Sequence, residues 1–189
     1  MGIADDFLLY VGTIEPRKNL LRLVQAFTEI ATERAGTLQL VLAGKKGWLT
    51  QYLFDAVKQS GVSERIKFTG YLCDKDLRSL YSSCRAFIYP SLYEGFGLPP
   101  LEAMACGAPV IASRIPSIEE VTGPAACLVD PESVSDLART IHEVTGNQAR
   151  QRELSIAGLK RAGKFSWEQT AQLTRAVYFE AVERFSKRG

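Results

Sequence analysis

Two carboxylates stand eight residues apart in a segment rich in glycine and proline. Glu94 and Glu102 lie within SLYEGFGLPPLEAMACGAPVIAS, residues 91–113. Gly95 and Gly97 allow backbone N–H groups to point at a ligand, as in an anion-binding nest. A carboxylate near phosphate is unfavourable unless it accepts hydrogen bonds, and sugar and ribose hydroxyls are natural donors. The spacing favours both carboxylates bordering one crevice, although a loop acid and a helix-start acid are simpler interpretations that stay open.

A basic pair follows the first predicted strand. Arg17 and Lys18 belong to GTIEPRKN, residues 12–19, where the next helix begins. Cations are unfavourable at a helix start, because its free N–H groups and dipole favour anions. An anionic ligand would offset that cost, and two cations there make a diphosphate-sized site. Gly12 permits close approach of the backbone. A solvated basic pair is the open alternative.

Other candidate motifs are weaker. GKKGW, residues 44–48, lacks the remainder of a P-loop, and the chain has no G-x-G-x-x-G fingerprint, which argues against NAD or FAD. Asp74 and Asp76 could hold a metal beside a diphosphate, but an N-cap and a first-turn acid explain them better. His142, the single histidine, falls in the middle of a predicted helix and is expected to be solvated or to pack.

Short apolar runs that alternate with amphipathic segments must position these residues. Strands are predicted over 7–12, 38–44, 66–70, 86–90, 109–113 and 126–130, and helices over 19–35, 49–61, 74–84, 99–107, 133–146, 148–163 and 165–185. Ser166 and Gln169 are predicted to form a capping box at the start of the last helix. The pattern predicts an α/β, Rossmann-like, doubly wound six-stranded parallel sheet with extra C-terminal helices. Ligands in such sheets bind at the carboxyl ends of the strands.

Composition excludes several classes of protein. The chain has 189 residues, 46% of them hydrophobic, and a net charge of +2, which is too small to indicate nucleic-acid binding. We recognise no signal peptide or transmembrane segment. The four cysteines are far apart, so we expect reduced thiols in a cytoplasmic protein.

The same residues resemble a known family. YVGTIEPRKNLLRLVQAF, FTGYLCDKDLRSLYSSCRAFIYPSLYEGFGLPPLEAMACGAPVIAS and IEEVTGPAACLVDP are similar to the C-terminal domain of the family 4, or group 1, retaining glycosyltransferases of the two-domain GT-B fold. The most specific part is the E-x7-E motif, here Glu94 and Glu102. The resemblance covers nearly the whole chain and implies one half of a GT-B fold, a single nucleotide-sugar-binding domain over residues 1–189.

The resemblance also implies roles for individual residues. Arg17 and Lys18 would hold the donor diphosphate, and Glu94 would accept hydrogen bonds from donor-sugar hydroxyls, which makes these three the expected catalytic residues. Glu102 would bind the ribose. The remaining expected contacts to the donor are Gly12 in the loop of the basic pair, the backbone around Tyr71 and Leu72 at the base, and the backbone of Phe96, Gly97 and Leu98. No cofactor and no metal are expected.

The rest of the expected enzyme lies outside this chain. The resemblance implies a nucleotide-sugar donor, with GDP-mannose as the candidate, and a saccharide or lipid-linked acceptor. It also implies an N-terminal acceptor domain that is absent, so the fragment is expected to be inactive alone. Contact of the full-length enzyme with the inner face of the membrane is a further expectation. The last helix is expected to pack toward the missing half. A GT-B-like nucleotide-sugar epimerase, a phosphorylase and a non-catalytic nucleotide-sugar-binding module are the alternatives.

Overall fold

Strands and helices alternate along the chain, as the apolar pattern predicts. The computed structural model describes residues 2–33 and 37–186. The strands are β1 Phe7–Val11, β2 Gln39–Ala43, β3 Ile66–Gly70, β4 Ala86–Tyr89, β5 Val110–Ser113 and β6 Cys127–Val129. The helices are α1 Leu20–Glu33, α2 Gln51–Gln59, α3 Asp74–Ser83, α4 Leu98–Ala105, α5 Pro116–Thr122, α6 Val134–Gly146, α7 Gln148–Ala162 and α8 Trp167–Ser186. The predicted end of the first helix, residues 34–35, lies outside the described residues.

The six strands form one parallel sheet in the order β3-β2-β1-β4-β5-β6. Leu9 of β1 is in register with Val41 of β2 on one side and with Phe87 of β4 on the other. The chain therefore winds outward from β1 in one direction and from β4 in the other. This is the doubly wound order in which ligands bind where the winding reverses, between β1 and β4. The predicted fold class is confirmed.

The strands form the core of the domain. Leu8, Leu9 and Tyr10 in β1 and Phe87 and Ile88 in β4 are almost fully inaccessible to solvent. Their runs are continuous rather than alternating because helices cover both faces of the sheet. On one side α1 contacts α2 and α6, and on the other α4 contacts α3, α5 and α7. The central strands are therefore rigid supports for the loops that follow them.

Two details differ from the sequence predictions. The pattern missed α5, a seven-residue helix that begins at Pro116, because so short a segment shows little helical periodicity. Asp74 was predicted as an N-cap, which is wrong: Cys73 has the extended N-cap conformation, and Asp74 and Asp76 both lie in the first turn of α3. Acidic side chains in that turn still complement the helix dipole.

Candidate functional site

The loops that follow β1 and β4 meet where the winding of the sheet reverses. The backbone N–H of Leu92 donates to the carbonyl of Arg17 at 2.8 Å. The side-chain amide of Asn19 donates to the carbonyls of Pro90, at 3.0 Å, and Pro131, at 2.7 Å. Asn19 has a φ of 59°, a left-handed conformation that asparagine tolerates better than most residues. These bonds hold the basic pair beside the loop that carries Glu94.

Arg17, Lys18 and Glu94 form one ionic cluster. The Lys18 ammonium lies 2.5 Å from Oε1 of Glu94, and Nη1 of Arg17 lies 2.9 Å from Oε2. The side chains of Lys18 and Glu94 are only 7% and 9% exposed, whereas that of Arg17 is 45% exposed. The structure thus brings together the three residues that the resemblance implies are catalytic. Their roles toward a donor stay predictions.

The surroundings of Glu94 stabilise its ionised form. Burial alone would raise the pKa of this carboxyl, but hydrogen bonds from Lys18 and Tyr89 and the Lys18 charge outweigh burial and lower the pKa below its ordinary value of 4.5. On Arg17, burial is likewise outweighed by Glu94 and Glu15, so the pKa of the guanidinium is raised. Glu94 is therefore an anion at neutral pH, suited to accept hydrogen bonds rather than to donate a proton.

Two members of the cluster were missed from the sequence. The Tyr89 hydroxyl donates to Oε1 of Glu94 at 2.8 Å and accepts from Lys18 at 2.9 Å. Oε1 of Glu15 lies 2.7 Å from Nε of Arg17. For Glu15, the available signal was its position two residues before Arg17. For Tyr89, it was its position at the end of β4. With Glu15 included, two cations face two carboxylates.

Contacts with α5 fix the loop around Glu94. Gly97 is the N-cap of α4 and has a φ of 103°, where an added Cβ would lie 2.5 Å from Cδ1 of Ile118. The hydroxyl of Ser117 donates to the backbone carbonyl of Glu94 at 2.9 Å. Ile118 and Ser117 both belong to α5. Helix α5, which the sequence pattern did not predict, therefore supports the glycine loop.

Glu102 does not join the ionic cluster. It lies on α4, with an exposed side chain, and Oε2 accepts a hydrogen bond of 3.1 Å from the buried Tyr81 hydroxyl of α3. Burial and the nearby Glu102 carboxylate raise the pKa of Tyr81, so the phenol remains a donor. Of the two carboxylates and two cations singled out from the sequence, Arg17, Lys18 and Glu94 are therefore in contact, and Glu102 is oriented separately on α4.

The other predicted donor contacts occupy the same end of the sheet. Gly12, with a φ of 151°, directly follows β1, and an added Cβ would lie 2.7 Å from the Tyr10 hydroxyl. Tyr71 follows β3 and is 69% exposed, with the Lys45 ammonium 5.0 Å from its ring centroid. Leu72 packs partly against the core. Two strand spacings, roughly 10 Å, separate β3 from β1, so Tyr71 lies beside the ionic cluster rather than within it.

An apolar cavity of about 470 Å³ lies next to Glu102, between α4 and the start of α8. Phe96 and Leu98, both about half exposed, line it together with Phe165 and Trp167. The Phe96 and Phe165 rings meet edge to face, with centroids 6.2 Å apart. The side chains of Phe96 and Leu98 therefore face this cavity, which leaves their backbone for the contacts predicted from the sequence.

The structure also places the remaining candidates. His142 is exposed on α6, and the Ser166 hydroxyl accepts from the backbone N–H of Gln169 at the start of α8. All four cysteines are free thiols. Over residues 2–33 and 37–186, no three histidine, cysteine or acidic side chains cluster as metal ligands would. No helix within that described part of the chain is long and apolar enough to span a membrane.

Comparison with known proteins identifies the family. The family described as Glycosyl transferases group 1 matches residues 4–161. That range covers most of the chain, including β1 to β6 and every predicted site residue. The chain therefore belongs to the group 1 glycosyltransferases, as its resemblance to them indicated.

Curated relatives include two bacterial mannosyltransferases. The chain is 39% identical over 174 residues to O-antigen chain mannosyltransferase B of Escherichia coli, covering 92% of the chain and 46% of that protein. It is 36% identical over 173 residues to the MMP alpha-(1->4)-mannosyltransferase of Mycolicibacterium hassiacum, covering 89% and 41%. The chain thus spans less than half the length of these relatives.

A solved structure with the same fold is sucrose-phosphate synthase from Thermosynechococcus elongatus. It superposes with a TM-score of 0.82 at 31% identity, over 93% of this chain and 46% of that one. The match agrees with an assignment of the domain to one Rossmann-like half of a GT-B fold.

Proposed function

We propose that this domain is the donor-binding half of a retaining hexosyltransferase and binds a nucleotide-diphosphate sugar without a metal. The observation that carries the proposal is the pair of cations, Arg17 and Lys18, at the point where the sheet winding reverses. Membership of the group 1 glycosyltransferases supports the reaction class. The mannosyltransferase relatives favour a mannose donor, and we propose GDP-mannose.

The cluster has donors to offer a diphosphate. A lysine ammonium has three N–H donors and an arginine guanidinium five. Within the described residues, Lys18 uses two donors, to Tyr89 and Glu94, and Arg17 contacts Glu15, Glu94 and the Tyr93 carbonyl. The uncommitted donors can turn to phosphate oxygens. The N-terminus of α4 adds partial positive charge beside them.

The carboxylates are suited to hydroxyl groups. We assign Glu94 to the donor sugar, because it is ionised and fixed at the loop tip next to both cations. Glu102, oriented by Tyr81, is assigned to the ribose. The backbone of Phe96, Gly97 and Leu98 would meet the sugar and phosphate. Gly12 would permit close approach of the donor to the β1 loop, and the backbone around Tyr71 and Leu72 would meet the base.

This arrangement assists departure of the leaving group. Cleavage of the anomeric C–O bond places negative charge on the nucleoside diphosphate and positive character on the sugar. Arg17, Lys18 and the α4 N-terminus are fixed positive groups that stabilise the first charge. Removal of one such donor typically costs about 2.7–4 kcal/mol of transition-state stabilisation. Glu94 would lie near the sugar, where its negative charge would stabilise the positive character that develops there.

The remaining parts of the enzyme are assigned by the same reasoning. We propose that an N-terminal domain supplies the saccharide or lipid-linked acceptor site, and that residues 1–189 do not turn over alone. Apolar side chains exposed along α8, among them Val177, Phe179 and Phe185, would face that domain. A cytoplasmic location, with contact at the inner face of the membrane in the full-length enzyme, is part of the proposal.

Calorimetric titration of GDP, UDP and ADP tests the donor site. We expect wild-type protein to bind GDP most tightly and Lys18→Ala to weaken it by tenfold or more, as loss of a charge-assisted bond implies, roughly 1.5–3 kcal/mol. Lys58→Ala, which removes an exposed lysine at the end of α2, is the matched control and should bind as wild type. Equal affinities for all three proteins would refute the assignment.

A transfer assay with GDP-mannose tests whether the acceptor domain is needed for catalysis. Addition of mannose to an acceptor is expected only from a protein that carries both halves. Efficient transfer by residues 1–189 alone would contradict the proposed requirement for an N-terminal acceptor domain.

A further inference from the structure

The hydroxyl of Tyr89 joins the two most buried charges of the cluster. It accepts a hydrogen bond of 2.9 Å from the Lys18 ammonium and donates one of 2.8 Å to Oε1 of Glu94. The same Oε1 lies 2.5 Å from the ammonium. The three atoms therefore form a closed triangle in which each contacts the other two.

Tyr89 is held by the sheet, whereas its two partners lie outside the strands. It ends β4, is 1% exposed, and lies roughly parallel to the rings of Tyr10 and Phe87, at centroid distances of 6.3 and 5.9 Å. Burial and the neighbouring Glu94 raise the pKa of this phenol, which keeps its proton at neutral pH. Lys18, in contrast, ends the short 3-10 helix Pro16–Lys18, and Glu94 lies in the loop that follows β4.

The triangle determines where the Lys18 ammonium points. The Lys18 ammonium contacts two side chains, Tyr89 and Glu94. Without the Tyr89 hydroxyl, Glu94 would be its one remaining side-chain partner among the described residues, and that carboxylate competes with an incoming phosphate. With the hydroxyl, two of the three N–H bonds of Lys18 are used by Tyr89 and Glu94, and within the described residues the third is left for a ligand. Tyr89 also occupies one lone pair of Oε1, which limits how strongly Glu94 can hold the lysine.

We propose that Tyr89 is a positioning residue for the donor site: its hydroxyl sets the orientation of Lys18 and Glu94, so that Lys18 presents one N–H bond to the donor diphosphate. The inference rests on the proposed function, because it concerns the same site. Tyr89 touches neither phosphate nor sugar and acts through Lys18.

Tyr89→Phe is the direct test, because it removes the hydroxyl and keeps the ring. Calorimetry with GDP and GMP separates phosphate contacts from the rest of the nucleotide. We expect Tyr89→Phe to weaken GDP by about tenfold, as loss of a bond to a charged group implies, and GMP by much less. Tyr10→Phe is the matched control: Tyr10 is an equally buried neighbour whose hydroxyl donates to the Thr13 carbonyl, at 3.2 Å, instead of to the cluster.

A ligand-free readout makes the outcome independent of donor binding. The pKa of the Glu94 carboxyl, followed by NMR, should rise in Tyr89→Phe, since a bond that stabilises the carboxylate is lost, and should be unchanged in Tyr10→Phe. In wild-type protein, the nuclear Overhauser effect between the Tyr89 hydroxyl proton and the Lys18 ammonium should persist when GDP is added.

The outcomes separate the two proposals. Suppose that wild-type protein binds neither GDP nor UDP while the Glu94 pKa still rises in Tyr89→Phe. The proposed donor site is then refuted, and with it the role of Tyr89 in that site, but the hydrogen bonds among Tyr89, Lys18 and Glu94 are confirmed. If wild-type protein binds GDP but Tyr89→Phe has the same GDP affinity and the same Glu94 pKa, the positioning role is overturned. Loss of the Tyr89–Lys18 Overhauser effect on GDP binding would also overturn it, whether or not the variant folds.

Discussion

Replacement of Lys18 by methionine should destabilise the domain strongly, because it removes a buried cation. Lys18 is 6% exposed as a residue and its partner Glu94 carries a side chain that is 9% exposed. Lys18→Met keeps the length and apolar stem of the side chain but leaves the buried carboxylate with less compensation. Removal of one partner of a buried ion pair costs about 3–5 kcal/mol.

The expected magnitude lies at the lower end of that range. Arg17 still pairs with Oε2 of Glu94 at 2.9 Å, and Tyr89 still donates to Oε1. We therefore expect a loss of about 3 kcal/mol in the free energy of unfolding, which lowers the melting temperature by roughly 6–12 °C in a domain of this size. Urea denaturation at pH 7 measures it.

A second substitution distinguishes the buried charge from lost packing. In Lys18→Met with Glu94→Gln, the uncompensated carboxylate is gone, so part of the stability should return. Glu143→Gln, which breaks an exposed pair with Arg139 on α6, is the surface control and should have a several-fold smaller effect. A loss below about 1 kcal/mol for Lys18→Met would refute the argument that the pair is buried and coupled.

Three further outcomes follow from the same contacts. The pKa of Glu94 is lowered below 4.5, so the contribution of this carboxylate to stability is complete above that pH and is lost as the pH falls through the folded-state pKa. The free energy of unfolding should therefore fall more steeply with acid in wild type than in Glu94→Gln, and identical slopes would contradict the shift. Gly97→Ala should cost about 1–3 kcal/mol in stability because of the left-handed φ of 103°. Gly95→Ala, where an added Cβ meets nothing within 4 Å, should be nearly neutral, and equal melting temperatures of the two variants would show that the loop relaxes freely. Glu15→Gln should tighten GDP binding by roughly fivefold, because it removes a carboxylate that competes for Arg17, and calorimetry showing unchanged or weaker binding would exclude that competition.

The sheet and the position of the ionic cluster could be predicted because their signals are local. A buried parallel strand such as β1 is a continuous apolar run, and each helix carries its own apolar stripe, so the order of elements is visible along the chain. The doubly wound topology then places the loops of Arg17 and Glu94 side by side, since β1 and β4 are neighbours.

The partners within the site could not be predicted in this way. Tyr89 is one more aromatic residue in an apolar strand, and only the packing of β4 against the β1 loop brings its hydroxyl to Lys18. Tyr81 meets Glu102 across two helices whose relative position no periodicity encodes. The short helix α5 is stabilised by the Gly97 loop that it supports, a tertiary effect that outweighs weak local signals.

A crystal structure of the domain with bound GDP tests the site most directly. The diphosphate should lie between the β1 and β4 loops, with phosphate oxygens about 3 Å from the Lys18 ammonium and the Arg17 guanidinium. A ribose hydroxyl should donate to Glu102. A diphosphate bound elsewhere, for example in the apolar cavity beside α8, with Arg17 and Lys18 still paired only to carboxylates, would contradict the donor site proposed here.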